Sequence, residues 1–168
     1  IDYGSKFSPM EMIKKIGCYE RGKFLVRSSL TFMANCEEKF DLIFLDGDHS
    51  AHTVYQELPL ALKLLNPKGI ILLHDCLPNS IYEQAVPRCY SKWNGDVWKA
   101  IVEMRTKEDV DTYTCYADQG IGVIFKRPNK NKLDLNLNDF SKLRFKDYFD
   151  NNRSYMNIIS YEELKNLV

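Results

Sequence analysis

The chain has 168 residues, of which 45% are hydrophobic and 27% charged, a composition that suits one globular domain with a substantial core. Lys plus Arg and Asp plus Glu number 23 each, so the formal net charge is zero, which argues against nucleic-acid and membrane-surface partners. Five cysteines without CxxC spacing predict reduced thiols and a cytoplasmic protein rather than a disulfide scaffold.

The first third of the chain alternates between helix and strand signals. Ser8 as N-cap and Pro9 at the first helical position predict that a helix spans residues 8–17. The elements predicted next are a short strand over 23–29, a short helix over 29–38 and a strand over 40–46. The unbroken apolar run of the last strand predicts burial on both of its faces.

The middle of the chain continues this alternation. Residues 50–66 place apolar side chains at helical spacing, and Pro59 inside them is expected to kink or split that helix. The elements that follow are a turn at 66–69, a strand at 69–75, a helix at 95–105, and strands at 111–117 and 120–128, which are close enough to pair antiparallel.

The last forty or so residues differ in character from the rest. Residues 129–168 are rich in Asn, Lys and Asp, and we predict them to be a polar extension of an α/β domain spanning residues 1–128. Leu133, Leu135 and Leu137 alternate as in a short edge strand. Ser160 and Glu163 form a capping-box pattern, which predicts a closing helix.

The element order predicts an α/β fold, a Rossmann-like, mostly parallel sheet with an antiparallel terminal strand pair. Two strands end in polar residues, "DLIFLDGDHS" at 41–50 and "GIILLHDC" at 69–76. Because ligands bind beyond the carboxyl ends of such strands, these polar residues are predicted to shape one site.

The stretch "KFDLIFLDGDHSAHTVYQELPLALKLLNPKGIILLHDCLP" resembles the fourth strand, following helix and fifth strand of class I S-adenosylmethionine-dependent methyltransferases. "GDVWKAIVEM" and "GIGVIFKRP" are similar to the later helix and terminal strand pair of that family, so the resemblance covers roughly residues 23–128. It implies S-adenosylmethionine as cofactor and O-methylation of a small molecule or a glycan-related acceptor.

The sequence also departs from the family. The glycine-rich loop that follows the family's first strand is absent, since neither GxGxxG nor ExGxxxG occurs. "IDYGSKFSP" is similar to the end of the family's second strand, where an acid holds the cofactor ribose, and the resemblance assigns that role to Asp2. It also implies that the first strand and the glycine loop lie upstream of Ile1.

A divalent metal, Mg²⁺ or Mn²⁺, is a second candidate cofactor. One branch of the family binds Mg²⁺ through an acid after the fourth strand and two ligands after the fifth, and the resemblance places Asp46, His74 and Asp75 there. His74 stands where an acid is usual, and a nitrogen ligand suits Mn²⁺, Fe²⁺ or Zn²⁺ better than Mg²⁺. The alternative is that Asp46 caps a strand end and His74 is a hydrogen-bonded lid residue.

His49 is the candidate general base, because an imidazole near neutral pH can take the proton of an acceptor hydroxyl. Asp46 is the second candidate catalytic residue. Asp48 would orient His49 or cap the following helix, and the alternative for His49 is a hydrogen bond to a backbone carbonyl. The predicted cofactor contacts besides Asp2 are Ser29, Asp46 and Gly47.

Aromatic side chains follow the fifth strand of the family pattern. Trp93, Tyr82 and Tyr90 are candidates for the acceptor wall, and Arg88 for contact with an anionic group. Trp98 has the helical spacing of a core residue.

Two other functions use the same residues. A metal-dependent hydrolase would employ the same Asp and His side chains but would need further ligands, and no histidine follows His74. A non-catalytic methyltransferase-like module would account for the missing glycine loop. A homo-oligomer is compatible with the sequence.

Overall fold

A computed structural model of the chain describes residues 9–17, 20 and 22–168. The helices are α1 (Pro9–Lys15), α2 (Ser29–Asn35), α3 (Ala51–Leu64), α4 (Trp98–Thr106), α5 (Phe145–Met156) and α6 (Tyr161–Lys165), with a 3₁₀ turn at Phe140–Lys142. The strands are β1 (Phe40–Leu45), β2 (Leu65–Leu73), β3 (Asp111–Cys115), β4 (Ile121–Phe125) and β5 (Ile158–Ile159). Asp2, the predicted ribose ligand, lies outside the described residues.

The five strands form one sheet in the order β1-β2-β4-β3-β5. β1 pairs parallel with β2, and β3 pairs parallel with β5, whereas β4 is antiparallel to both β2 and β3. Four strands therefore run in one direction and β4 alone runs in the other. The predicted mostly parallel α/β sheet with an antiparallel terminal pair is confirmed.

Helices α3, α4 and α5 build the main core against one face of the sheet. Trp98 and Ile101 of α4, Leu58 of α3, and Ile71 and Ile124 of the sheet are fully buried. Trp98 is thus the core residue that its spacing predicted. On the opposite face, α6 covers the part of the sheet formed by β3 and β4 through Leu164.

The strand β1 is less buried than its sequence predicts. Leu42 is 58% exposed and Phe44 is 52% exposed, so burial on both faces was wrong for this strand. The exposure is confined to one face, because Leu42 and Phe44 alternate with Ile43 and Leu45, which pack into the described core. In the described part of the chain β1 also pairs with a strand on one side only.

Residues 22–28 do not form the predicted strand. Among the described residues, this segment has an irregular backbone and pairs with no strand. An extended β-branched and aromatic sequence becomes a strand only where a neighbour accepts its backbone hydrogen bonds, and the described sheet offers none here.

Two local predictions around α3 and β2 need correction. Pro59 does not split α3, which is continuous from Ala51 to Leu64. β2 begins at Leu65 rather than at Gly69, and the predicted turn at 66–69 is an irregularity within it. Leu65 pairs with Phe40 and Ile70 pairs with Leu42, so the four residues between them bulge opposite Asp41 alone.

The C-terminal segment packs onto the same core. Leu133 and Leu135 pack against it, but they lie in irregular backbone and not in the predicted edge strand. The buried Arg105 of α4 donates hydrogen bonds to the carbonyls of Asn131 and Ser154, which ties this segment to α4. The closing helix α6 and its Ser160–Glu163 capping box are confirmed.

None of the helices in the described ranges has both the length and the apolar content that crossing a bilayer requires.

Candidate active site

The candidate site lies at the carboxyl ends of β1 and β2. Asp46 and His49 follow β1, and His74 and Asp75 follow β2. The two strands are parallel neighbours in register, with Leu45 opposite Leu73. The sequence-based expectation that these four side chains meet is therefore met by the geometry.

His49 is held between a carboxylate and an indole. Its Nδ1 lies 2.9 Å from Asp75 Oδ2 and 3.3 Å from the backbone oxygen of Trp93. Its ring stacks on Trp93 with centroids 4.9 Å apart and planes at 9°. Both partners of Nδ1 accept only, so Nδ1 carries the proton and Nε2 presents a lone pair. His49 thus has both the hydrogen bond to a backbone carbonyl, which was the alternative to a catalytic role, and a hydrogen bond to a carboxylate.

The protonation behaviour of His49 follows from these contacts. The hydrogen bond that His49 Nδ1–H donates to Asp75 raises the pKa of His49, and this effect outweighs the opposing effect of burial. The charges of Asp75 and Asp46 act in the same direction. A raised pKa makes Nε2 a stronger proton acceptor than in a free imidazole.

The loop before α4 fixes the position of His49. The amide of Asp96 donates to the backbone oxygen of His49 at 3.1 Å, and Asp96 Oδ1 accepts the amide of Ala51 at 2.7 Å at the start of α3. Gly95 has φ +66°, and a Cβ there would lie 1.7 Å from the His49 oxygen. Only glycine allows this close approach, which brings Trp93 onto His49.

His74 lies among three carboxylates. Its Nδ1 is 3.2 Å from Asp46 Oδ1 and 3.1 Å from Asp75 Oδ2, and its Nε2 is 2.9 Å from Asp118 Oδ2. Burial lowers the pKa of His74, but the three carboxylates together raise it above the ordinary value.

Asp75 is the buried centre of the cluster. Its side chain is 2% exposed, against 42% for Asp46. Its backbone has φ +63°, a left-handed conformation that is costly for residues other than glycine and occurs often at functional sites. Asp75 Oδ1 is buried without a hydrogen-bond partner.

Asp118 was not singled out by sequence reasoning. It lies in the turn between β3 and β4, at the same edge of the sheet, and bonds His74. The signal available was weak: an acid in a hairpin turn is common on protein surfaces, and its partner is 44 residues away.

Asp46, His74 and Asp75 together fit a divalent metal. One ligand atom from each lies within 4.8 Å of the others. Metal bonds of about 2.1 Å at right angles place ligand atoms about 3 Å apart, close to the separations seen around His74 Nδ1. His74 Nδ1 and Asp75 Oδ1 are buried and lack hydrogen-bond partners, so they are available as ligands.

A cleft of about 730 Å³ opens beside His49 and Trp93. Ser29 and Gly47 also line it, as do Lys23 and Arg27 from the irregular segment. Three predicted site residues, Ser29, Gly47 and His49, therefore border one cavity. A Cβ on Gly47 would meet no heavy atom within 4 Å, so the backbone there faces open space.

Ser29 and Asp48 each make a structural contact at the edge of the site. Ser29 donates from its hydroxyl to Glu57 Oε1 at 2.5 Å, which anchors α2 to α3. Asp48 accepts the amide of Ser50 at 2.9 Å, and Ser50 is the N-cap residue of α3, so Asp48 supports the start of the helix from outside it. Burial raises the pKa of the Asp48 carboxyl, but hydrogen bonds from Ser50 and Thr53 more than offset this effect and hold the pKa below its ordinary value.

One protein-family model matches part of the chain. The family model described as a methyltransferase domain matches residues 5–76, the stretch that includes β1, α3 and β2. A methyltransferase-domain model thus matches the part of the chain that carries the candidate site. No curated protein sequence matches the chain.

Solved structures share the fold of this chain. The SAH-bound methyltransferase PaMTH1 of Podospora anserina is 23% identical, with a TM-score of 0.53 over 70% of this chain and 54% of its own. A candidate O-methyltransferase from Klebsiella pneumoniae is 18% identical, with a TM-score of 0.54 over 70% and 55%. A Corynebacterium glutamicum protein is 16% identical, with a TM-score of 0.54 over 77% and 56%. The chain thus spans slightly more than half the length of these proteins.

Proposed function

We propose that the methyltransferase domain transfers a methyl group from S-adenosylmethionine to a hydroxyl oxygen of a small molecule or a glycan-related acceptor. The observation that carries this proposal is the position of His49. Its Nδ1–H is held by Asp75 and by the Trp93 carbonyl, which leaves the Nε2 lone pair to act beside a cleft large enough for a cofactor.

S-adenosylmethionine, when bound, supplies an electrophilic methyl group on its sulfonium. His49 Nε2 would accept the proton of the acceptor hydroxyl as that oxygen takes the methyl group, and S-adenosylhomocysteine would be the leaving product. Asp75 keeps Nδ1 protonated and stabilises the imidazolium that results, because a buried carboxylate lies 2.9 Å from that nitrogen. The Trp93 ring covers one face of His49 and excludes water from it.

Asp46, His74 and Asp75 are proposed to hold a divalent metal. Such an ion would lower the pKa of an acceptor hydroxyl bound to it, which eases deprotonation by His49. Because one ligand atom is a nitrogen, Mn²⁺ fits this set better than Mg²⁺.

Cofactor contacts are proposed at the cleft. Ser29 and Gly47 line the cavity directly, and Asp46 lies on the same loop as Gly47. Asp2 is proposed to hold the ribose. The open space at Gly47 supports a cofactor contact at that residue, because a small residue lets a ligand approach the backbone closely.

The acceptor is proposed to enter past the loop between β2 and α4. Tyr82 and Tyr90 of this loop are more than half exposed, and Arg88 lies 5.7 Å from the Trp93 ring centroid. Exposed aromatic faces beside a guanidinium suit a ring-containing or anionic acceptor.

Calorimetric titration tests the cofactor assignment. S-adenosylhomocysteine is titrated into this chain and into a version that includes the coding sequence upstream of Ile1, each with and without Mn²⁺. Binding by the longer protein supports the proposal. If neither protein binds, the cofactor assignment fails and a non-catalytic module becomes the better description.

A matched pair of variants tests the base. His49→Gln in the protein that binds cofactor should lower the methyl-transfer rate about 10²–10⁴-fold, because the proton acceptor is lost. His52→Gln is the control, since the contacts of the exposed His52 are to Gln56 one turn along α3. Equal activity of the two variants would exclude His49 as the base.

A further inference from the structure

Both ring nitrogens of His74 face oxygen atoms that only accept hydrogen bonds. Nε2 lies 2.9 Å from Asp118 Oδ2 in hydrogen-bond geometry. Nδ1 lies 3.1 Å from Asp75 and 3.2 Å from Asp46, but it is buried and has no hydrogen bond of acceptable geometry. The two nitrogens therefore make different kinds of contact.

A neutral imidazole carries one N–H group. The hydrogen bond to Asp118 places that proton on Nε2, which leaves the lone pair of Nδ1 directed at the carboxylates of Asp46 and Asp75. A lone pair facing two carboxylate oxygens is repulsive, and either a second proton on the ring or a metal cation between these atoms removes that repulsion. The arrangement is that of a metal-ligating histidine whose second nitrogen donates to an outer carboxylate.

The turn that carries Asp118 is fixed to the end of β2. Gly120 accepts the amide of Cys76 and Gln119 accepts the amide of Leu77, each at 2.9 Å. Gly120 has φ +89°, and a Cβ there would lie 2.5–2.7 Å from Leu77. Asp118 is therefore held at a set distance from His74 although its side chain is 67% exposed.

We propose that Asp118 is a positioning residue that fixes His74 as an Nδ1 ligand for a divalent cation shared with Asp46 and Asp75. This inference rests on the metal site of the proposed function. Asp118 does not touch the cation. It sets the tautomer and the ring orientation of His74 and increases the basicity of Nδ1.

Mn²⁺ binding to this chain tests the proposal, with free Mn²⁺ measured by electron paramagnetic resonance. Asp118→Gly should weaken Mn²⁺ binding about 10–100-fold, the usual effect of losing an outer carboxylate. Glycine is chosen because residue 118 has φ +48°. Asp118→Asn keeps a neutral hydrogen-bond acceptor and should lose less Mn²⁺ affinity than Asp118→Gly. The charge control is Asp134→Asn, which removes an exposed carboxylate from the C-terminal segment and should bind like the parent chain.

The outcomes separate this inference from the metal site itself. If the parent chain binds Mn²⁺ and both Asp118 variants bind it with the same affinity, the positioning role is overturned while the metal site remains supported. No Mn²⁺ binding by the parent chain removes the metal site and this inference with it.

Nitrogen NMR of the chain titrated with Zn²⁺ gives a readout independent of affinity. We expect His74 to carry its proton on Nε2 and to show a metal-shifted Nδ1 resonance. A proton on Nδ1, or on both nitrogens, in the Zn²⁺-titrated protein overturns the proposal.

Discussion

Replacing Gly95 by Ala is expected to damage both the fold and the site. The added Cβ would lie 1.7 Å from the His49 oxygen and 2.8 Å from His49 Cβ, so the loop before α4 must move away from His49. The left-handed backbone costs a non-glycine residue about 1–2 kcal/mol. Forced movement in a packed region costs about 1–3 kcal/mol, and the hydrogen bond from the Asp96 amide to His49 adds about 1 kcal/mol when it is lost.

Together these effects predict that Gly95→Ala lowers the free energy of unfolding by about 3–6 kcal/mol. For a chain of 168 residues this corresponds to a fall in Tm of about 6–24 °C, and thermal and urea unfolding measure the two quantities. Gly47→Ala is the matched control, because no heavy atom lies within 4 Å of its new Cβ, and its stability should change by less than about 0.5 kcal/mol. A Gly95→Ala protein as stable as the control would refute the reasoning.

Three further predictions concern the cleft, a buried acid and the C-terminal segment. Gly47→Val should preserve Tm but weaken S-adenosylhomocysteine binding in calorimetry, because its side chain would enter the cleft. Burial raises the pKa of Glu57 above its ordinary value of 4.5, although the Ser29 hydroxyl opposes this. The native state then binds more protons than the unfolded chain, so stability falls as pH rises from about 4.5 towards the folded pKa. Glu57→Gln should therefore be more stable than the parent towards urea at pH 7 but not at pH 4. Arg105→Met should cost about 2–4 kcal/mol and make residues 129–168 sensitive to limited proteolysis, because two backbone carbonyls lose a charged donor.

Each of these has an outcome that contradicts it. Full cofactor binding by Gly47→Val would mean that the ligand lies elsewhere. A Glu57→Gln protein with the same pH dependence as the parent would show that Glu57 is not the titrating group. A protease-resistant Arg105→Met protein would assign the anchoring of the segment to apolar contacts such as those of Leu133 and Leu135.

The parts of the fold that could be predicted from sequence are those with local periodic signals. The two strands that end just before Asp46 and His74 were recognisable by their apolar runs. Because parallel neighbours end at one edge of the sheet, the close approach of Asp46, His49, His74 and Asp75 could be predicted as well. Residues 23–29 have an equally good strand composition but form none, since strand formation depends on a partner that composition does not reveal.

The candidate site was less predictable because its details depend on contacts between distant segments. Trp93 reaches His49 across 44 residues, and this approach depends on the single glycine at position 95. Asp118 bonds His74 only because a tight turn folds against the end of β2. No periodicity marks either contact.

The outer side of β1 has a consequence for handling this chain. Its backbone amides and carbonyls have no strand partner among the described residues, and the neighbouring Leu42 and Phe44 side chains are largely open to solvent. A strand of this kind is a template for self-association, in which the same edge of a second molecule adds to the sheet. We therefore expect ligand affinities measured on the chain to depend on protein concentration, and a dilution series with light scattering beside each titration tests this.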